Sequence, residues 1–429
     1  MNRTGVPMTT RWSLKALVCL IYFGHGDGLA ANHDLLTSPT NMALGNSATA
    51  TPGATFAAEA NPAGLTLLDR PSISAHASYS SLNLNPLAPD NSGQLPQTND
   101  RQDDQSLQGI GFGIHIPLPF KVHLGATGYL PEDFLKVHVM SGEEHSYLNF
   151  SERNQKPNIS TALAVGLPMG LALGAGFYHT LETNGQVQLS LSDQDTRGRA
   201  TIGVKPVRIP YAGLRWQHQL DPQSFFALGG VYREASKTSA EVATQIIVDT
   251  AQFSVPADAE AEFALFYEPQ IVKVGAHFQS PAFALMVDYQ ESRWSKYKPP
   301  FFSIESTALV AQDFKALEFQ DTRSYKVGAE FPHTLMPSFH GFARVGYQHH
   351  TSAMSKAPQN TAVVDTPRDI YALGYGIKSQ TKDGEQLTVD IAWQTILMRD
   401  TEFLSTVGNQ TLTAGGRATT VVGGISYDL

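Results

Sequence analysis

The chain has 429 residues, of which 42% are hydrophobic and only 16% charged, against about 25% charged in an average soluble protein. Its 36 glycines and 10% aromatics suit many strands joined by turns better than a helical bundle. The formal charge of −9 disfavours a nucleic-acid partner. After the N-terminal region no stretch of about 18 apolar residues occurs, which excludes a transmembrane helix there.

In chain order, Arg3, Arg11 and Lys15 precede the apolar run from Ala16 to Phe23, and Gly28, Ala30 and Ala31 follow. That is the order of a secretory signal cleaved after Ala30 or Ala31. The run of eight residues is too short for a membrane anchor, which needs about 20. Cys19 lies inside the run, so the mature chain is expected to lack cysteine and with it any disulfide, thiol catalysis or zinc–thiolate site. Removal of the signal leaves 27 basic against 38 acidic residues, a formal charge of −11.

Residues 32–69 do not alternate in polarity. They are rich in Ala, Thr, Gly and Asn, with large apolar residues scattered at Leu35, Leu36, Met42, Leu44, Phe56, Leu65, Leu67 and Leu68. The segment is too long for a simple leader and too apolar for a disordered tail. A plug inside a barrel accounts for both. Just before the first strand stands Asn61-Pro62-Ala63-Gly64, a turn in which Pro62 fixes one backbone angle, Asn61 can bond nearby backbone and Gly64 can take a conformation barred to other residues.

From about residue 71 the period becomes two, the mark of strands. Phe283, Leu285, Val287 and Tyr289 alternate with Ala284, Met286, Asp288 and Gln290, and Leu387, Val389, Ile391 and Trp393 alternate with Thr388, Asp390 and Gln394. Phe339, Ala343, Val345 and Tyr347 alternate likewise with His340, Arg344 and Gln348. Short turns fall at 117–119, 167–170, 221–224, 280–282, 332–338 and 382–385. Long polar connections fall at 85–105, 131–157, 182–206, 236–262, 292–321, 350–367 and 399–415. Strict alternation of short and long is how outer-membrane barrels are built. Aromatics such as Phe283 with Tyr289, Tyr325 with Phe331 and Phe339 with Tyr347 are candidates for the interfacial girdles. The final strand ends in Leu429, where such barrels usually end in an aromatic residue. The expected fold is all-β, a transmembrane antiparallel barrel of about fourteen strands with an N-terminal hatch inside the lumen. Residues 1–30 form a signal peptide, 31–70 the hatch and 71–429 the barrel.

Three segments resemble the long-chain fatty-acid transporter family of outer-membrane proteins, which includes the aromatic-hydrocarbon porins related to the toluene channel. ALGNSATATPGATFAAEANPAGLTLLDRPSIS at 43–74 is similar to that family's hatch with its Asn-Pro-Ala signature. VDYQESRWSKY at 287–297 resembles a Trp-Ser stretch ending a central strand, and the hairpins from DTRSYKVGAEF at 321–331 onward are similar to the family's C-terminal third. The resemblance implies capture of a hydrophobic ligand by extracellular loops, binding inside the barrel, and passage gated by the hatch, in the outer membrane of a Gram-negative cell. A lateral opening at a kinked strand is also typical of the family.

Expected ligand contacts are Leu35, Leu36, Met42, Phe56 and Asn61 to Gly64 on the hatch, with Pro62 and Ala63 between. Ile246, Ile247 and Phe253 in one loop and Leu309 and Phe314 in another add exposed apolar surface that loops seldom carry without a partner; packing of the loops on each other as a lid is the alternative. Inward-facing charges Arg215, Lys273, Asp288, Lys326, Glu330, Arg344, Lys378 and Asp390 either pair to hold the plug or bind a carboxylate, with Arg344 or Lys273 as contact. The expected partners are outer-membrane lipid, a hydrophobic ligand such as a fatty acid or aromatic hydrocarbon, and the barrel-assembly machinery, with a monomeric barrel. No cofactor and no metal is expected. A barrel lipase would need more than the His349-His350-Thr351-Ser352 stretch, which lacks the Asn-Gly that follows in that family, so no enzyme activity is expected. A general porin or a surface-protein scaffold is the competing function.

Overall fold

The computed structural model describes residues 37–85, 106–132, 146–147, 156–192, 196–236, 246–250, 253–255, 260–264, 267–296, 319–354, 363–380, 385–404 and 411–429. The signal region, Leu35, Leu36, Leu309 and Phe314 lie outside them.

Fourteen long strands form the wall: β1 (Ser72–Leu84), β2 (Ser106–Leu118), β3 (Val122–Pro131), β4 (Asn158–Gly166), β5 (Leu171–Ser192), β6 (Thr196–Asp221), β7 (Ser224–Arg233), β8 (Gln270–Gln279), β9 (Ala284–Arg293), β10 (Thr322–Met336), β11 (Phe339–His350), β12 (Arg368–Gln380), β13 (Gln386–Leu404) and β14 (Thr411–Asp428). Each pairs antiparallel with the next, and β1 pairs with both β2 and β14, from Ser72 opposite Asp428 to Leu84 opposite Gly416. The sheet therefore closes and leaves no edge in the bilayer, where unpaired backbone groups would go unsatisfied. The period-two pattern decides which side faces what. Leu285, Val287, Val389 and Ile391 are exposed on the outer face, whereas Asp288, Arg344 and Asp390 are buried on the inner one.

Turns at one end are tight. Between β10 and β11 the turn shrinks to Pro337 and Ser338, because β10 continues through Pro332 to Met336 where a longer turn was expected. At the other end β5 and β6 run 22 and 26 residues, far beyond the 9–11 that cross a bilayer. The expected polar loop at 182–206 is thus the tip of a long hairpin, with only 193–195 between its strands. Short strands Ile246–Thr250 and Glu260–Ala264 pair with β5 on this projection, and Phe253–Val255 pairs with Ile246–Thr250. The connection expected at 399–415 is likewise mostly strand, through Leu404 of β13 and from Thr411 of β14.

The N-terminal segment from residue 37 to 68 lies inside the ring, since its partners come from opposite walls: Asp288 on β9, Arg215 on β6, Thr127 on β3 and Asp390 on β13. Its short helices α1 (Pro39–Ala43) and α2 (Ala57–Ala60) are too short to be stable alone. Ser38 caps the first by accepting the Asn41 N–H at 3.2 Å. Glycines on the wall make room. A Cβ on Gly346 would overlap the backbone of Leu44 and Gly45, one on Gly229 the backbone of Thr49 and Ala50, and one on Gly174 that of Pro62 and Ala63.

Candidate functional site

Asn61 is the joint of the plug. It is fully buried, and its side-chain oxygen accepts the Ala63 N–H at 3.1 Å, capping the 3-10 helix Pro62–Leu67. Its amide donates to the Thr49 carbonyl at 2.7 Å and to the Leu214 carbonyl on β6 at 3.1 Å. One side chain thus ties together two parts of the plug and the wall. Gly64 has no positive φ, contrary to expectation; it is needed for space, because a Cβ would overlap the ring of Pro52. The left-handed glycine of the segment is Gly45, at φ 61°.

The inward charges divide into two groups. Arg215 donates to the Ala50 carbonyl at 2.8 Å, Asp288 accepts the Thr49 N–H at 2.9 Å, and His277 bonds the Thr51 hydroxyl. Arg344, expected as a ligand contact, bridges Glu330 at 2.6 Å and Asp390 at 2.5 Å, and Asp390 reaches Thr40 of α1. Its guanidinium is therefore taken up by two carboxylates. These groups anchor the plug.

The second group faces a cavity of about 90 Å³ between the plug and the wall. The plug side is Thr37, Asn41, Asn46, Ala48, Thr49, Glu59 and Ala60; the wall side includes Ser160, Tyr178, Tyr211, Arg233, Lys273, Gln290 and Lys326. Arg233 is committed to Glu268 at 2.7 Å and stacks over the Tyr178 ring, and Lys326 donates to Gln290 at 3.1 Å. The Lys273 ammonium has no hydrogen-bond acceptor or ion-pair partner among the described residues.

Toward the long-loop end the inner wall changes character. On β1 it runs Ser72, Ser74, His76, Ser78 and Ser80, then Leu82 and Leu84. Leu82 and Leu84 join Leu107, Tyr129, Ile370, Ile396, Met398 and Phe403 in one apolar cluster, and Tyr267, Trp294, Phe319 and Met354 form another. The inner wall of β1 is thus polar along most of its length and ends in a packed apolar cluster toward the long loops. Of the other expected contacts, Met42, Phe56, Pro62 and Ala63 are buried in the plug, packed against barrel and plug rather than lining the cavity. Ile246, Ile247 and Phe253 lie on the short strands of the projection, where their side chains are outside the description. Sequence reasoning missed Tyr178, Tyr211 and Arg233, whose inward direction needs a register that the long hairpin hides. His349 and His350 point to opposite faces, toward Asp369 and Ser324, and the Ser352 hydroxyl donates to the Asp365 carbonyl.

Residues 217–428 match the family described as outer membrane protein transport protein (OMPP1/FadL/TodX). From within β6 to β14 the chain belongs to this family. Its members are outer-membrane transport channels of Gram-negative bacteria, and the OMPP1/FadL/TodX-type barrel described above resides there with them. No protein of curated function matches it in sequence. A Pseudomonas aeruginosa FadL homologue superposes with a TM-score of 0.59 at 13% identity, over 93% of this chain and 99% of that one. A TodX mutant described as a monoaromatic hydrocarbon channel gives 0.54 at 14% identity, over 92% and 99%. The Ralstonia pickettii toluene transporter TbuX gives 0.50 at 13%, over 92% and 99%. At such identities the likeness concerns the fold.

Proposed function

We propose that this OMPP1/FadL/TodX-type channel takes up hydrophobic molecules that carry an anionic head, long-chain fatty acids in particular, and that the plug gates their passage. The observation that carries the reading is the Lys273 ammonium in the cavity between plug and wall, without a hydrogen-bond or ion-pair partner among the described residues. A pure hydrocarbon has no use for a desolvated cation, whereas a carboxylate would supply the missing partner. Its chain would start along Val231 and Ile271, the apolar residues of the cavity wall. Position supports the gating reading: Thr49, which lines the cavity, is held by Asn61 and Asp288, and Arg215 holds its neighbour Ala50. The barrel is taken to work as a monomer, inserted by the assembly machinery.

Binding of oleate and of toluene to the full-length protein and to Lys273→Met tests this. Oleate affinity is expected to fall about tenfold or more, the scale of one charge-assisted hydrogen bond, with toluene affinity unchanged. Unchanged oleate affinity would refute the anionic-head reading. Should deletion of the gene also leave uptake of every hydrophobe intact, a porin or scaffold role is the better account.

A further inference from the structure

The outward-facing row just above the apolar belt, at the long-loop end of β10 to β14, holds three arginines, a histidine and an aspartate. Reading outward along each strand, Tyr325 is followed by Arg323 on β10, Tyr347 by His349 on β11, Tyr371 by Asp369 on β12, Leu397 by Arg399 on β13, and Thr419 by Arg417 on β14. Register places them side by side: Tyr325 opposite His349, His349 opposite Asp369, and Leu397 opposite both Asp369 and Arg417. Five strands at their usual spacing cover about 19 Å.

Of the acids on this surface Asp369 is spoken for, Asp400 accepts from Asn85 at 3.1 Å, and Glu402 stands further out on β13. Asp369 accepts from Tyr347 and His349 at 2.8 Å and from Arg399 at 2.9 Å, so it holds Arg399 against the wall while 60% of that side chain stays exposed. Arg323 and Arg417 are exposed and have no side-chain hydrogen bond or ion pair among the described residues. Glu291 stands opposite Arg323, but it accepts the Tyr289 hydroxyl and lies 3.6 Å from Arg293. Toward the short-turn end of these strands the outward face carries Phe331, Leu335, Phe339, Ile377, Leu387, Ile425 and Leu429, and no arginine or lysine faces outward there among the described residues of β10 to β14. On β10 to β14 the outward-facing arginines among the described residues lie at the end bearing the long loops.

We infer that this arc binds the phosphorylated headgroups of the glycolipid that forms the outer leaflet. Guanidinium pairs phosphate bidentately, the aromatic row beneath marks the depth at which acyl chains give way to headgroups, and the side of the barrel facing that leaflet is where the arc sits. This surface is separate from the lumen and does not depend on the transport reading.

Native mass spectrometry of the full-length protein with bis-phosphorylated lipid A and with its dephosphorylated form reads the effect directly. The wild type is expected to prefer the phosphorylated lipid, and Arg323→Gln with Arg417→Gln to reduce that preference about fivefold per arginine while the barrel keeps its heat-resistant mobility. Equal binding of both lipids by the wild type, or an undiminished preference in the folded double variant, would overturn the assignment. So would displacement of the lipid by inorganic phosphate alone, which would mark a free-anion site.

Discussion

Thr388 and Val389 are neighbours in β13 that face opposite solvents: Val389 is exposed on the outer surface and Thr388 turns to the lumen. An arginine at the mid-membrane position of the outer face costs about 2–4 kcal/mol, whereas the same residue in the lumen finds polar company. Val389→Arg should therefore lower the urea midpoint of the folded barrel well below that of Thr388→Arg; equal midpoints would mean that the faces are misassigned. Asp390, the natural lumen control from the alternation alone, is unsuitable. It is half of a buried pair with Arg344, and breaking such a pair costs about 3–5 kcal/mol whatever the solvent outside.

The plug owes its pose less to its own helices than to the glycines of the wall. α1 and α2 have five and four residues, so their order comes from packing and from Asn61, Arg215 and Asp288. A side chain at Gly346 would occupy the space of Gly45, and the backbone there cannot yield without moving Leu44. Gly346→Val is expected to leave a heat-resistant barrel but to expose residues 37–68 to added protease and to raise uptake. A plug that stays protected would show that it is held by contacts elsewhere.

What was legible in the residues follows the same division. Strand number, closure and facing could be read because each depends on alternation over about ten residues, and Asn61 because a capping asparagine before Pro62 is a local signal. The length of β5 and β6 could not, because a hairpin rich in Gly, Thr and Arg beyond the bilayer loses the apolar-out pattern that marks the wall. Nor could the role of Gly64 or the commitment of Arg344, since both depend on what a distant segment, Pro52 or Glu330, places beside them.

Across the whole molecule the lumen has two zones that should fail separately. The apolar cluster around Ile396 is closely packed, so a greasy molecule of any kind would pass it only by inserting between its side chains, where a charge without a partner is costly. The Lys273 cavity offers a partner only to an anion. Ile396→Asp is thus expected to lower heat resistance and, in the barrels that fold, to depress uptake of oleate and toluene alike, while Lys273→Met depresses oleate alone at wild-type heat resistance. Radiolabel uptake counted per folded barrel separates lost passage from lost protein. If Ile396→Asp spares toluene, the small aromatic does not pass this cluster and must enter by another route. If Lys273→Met depresses both, the lysine supports the shape of the lumen and not the head of a ligand.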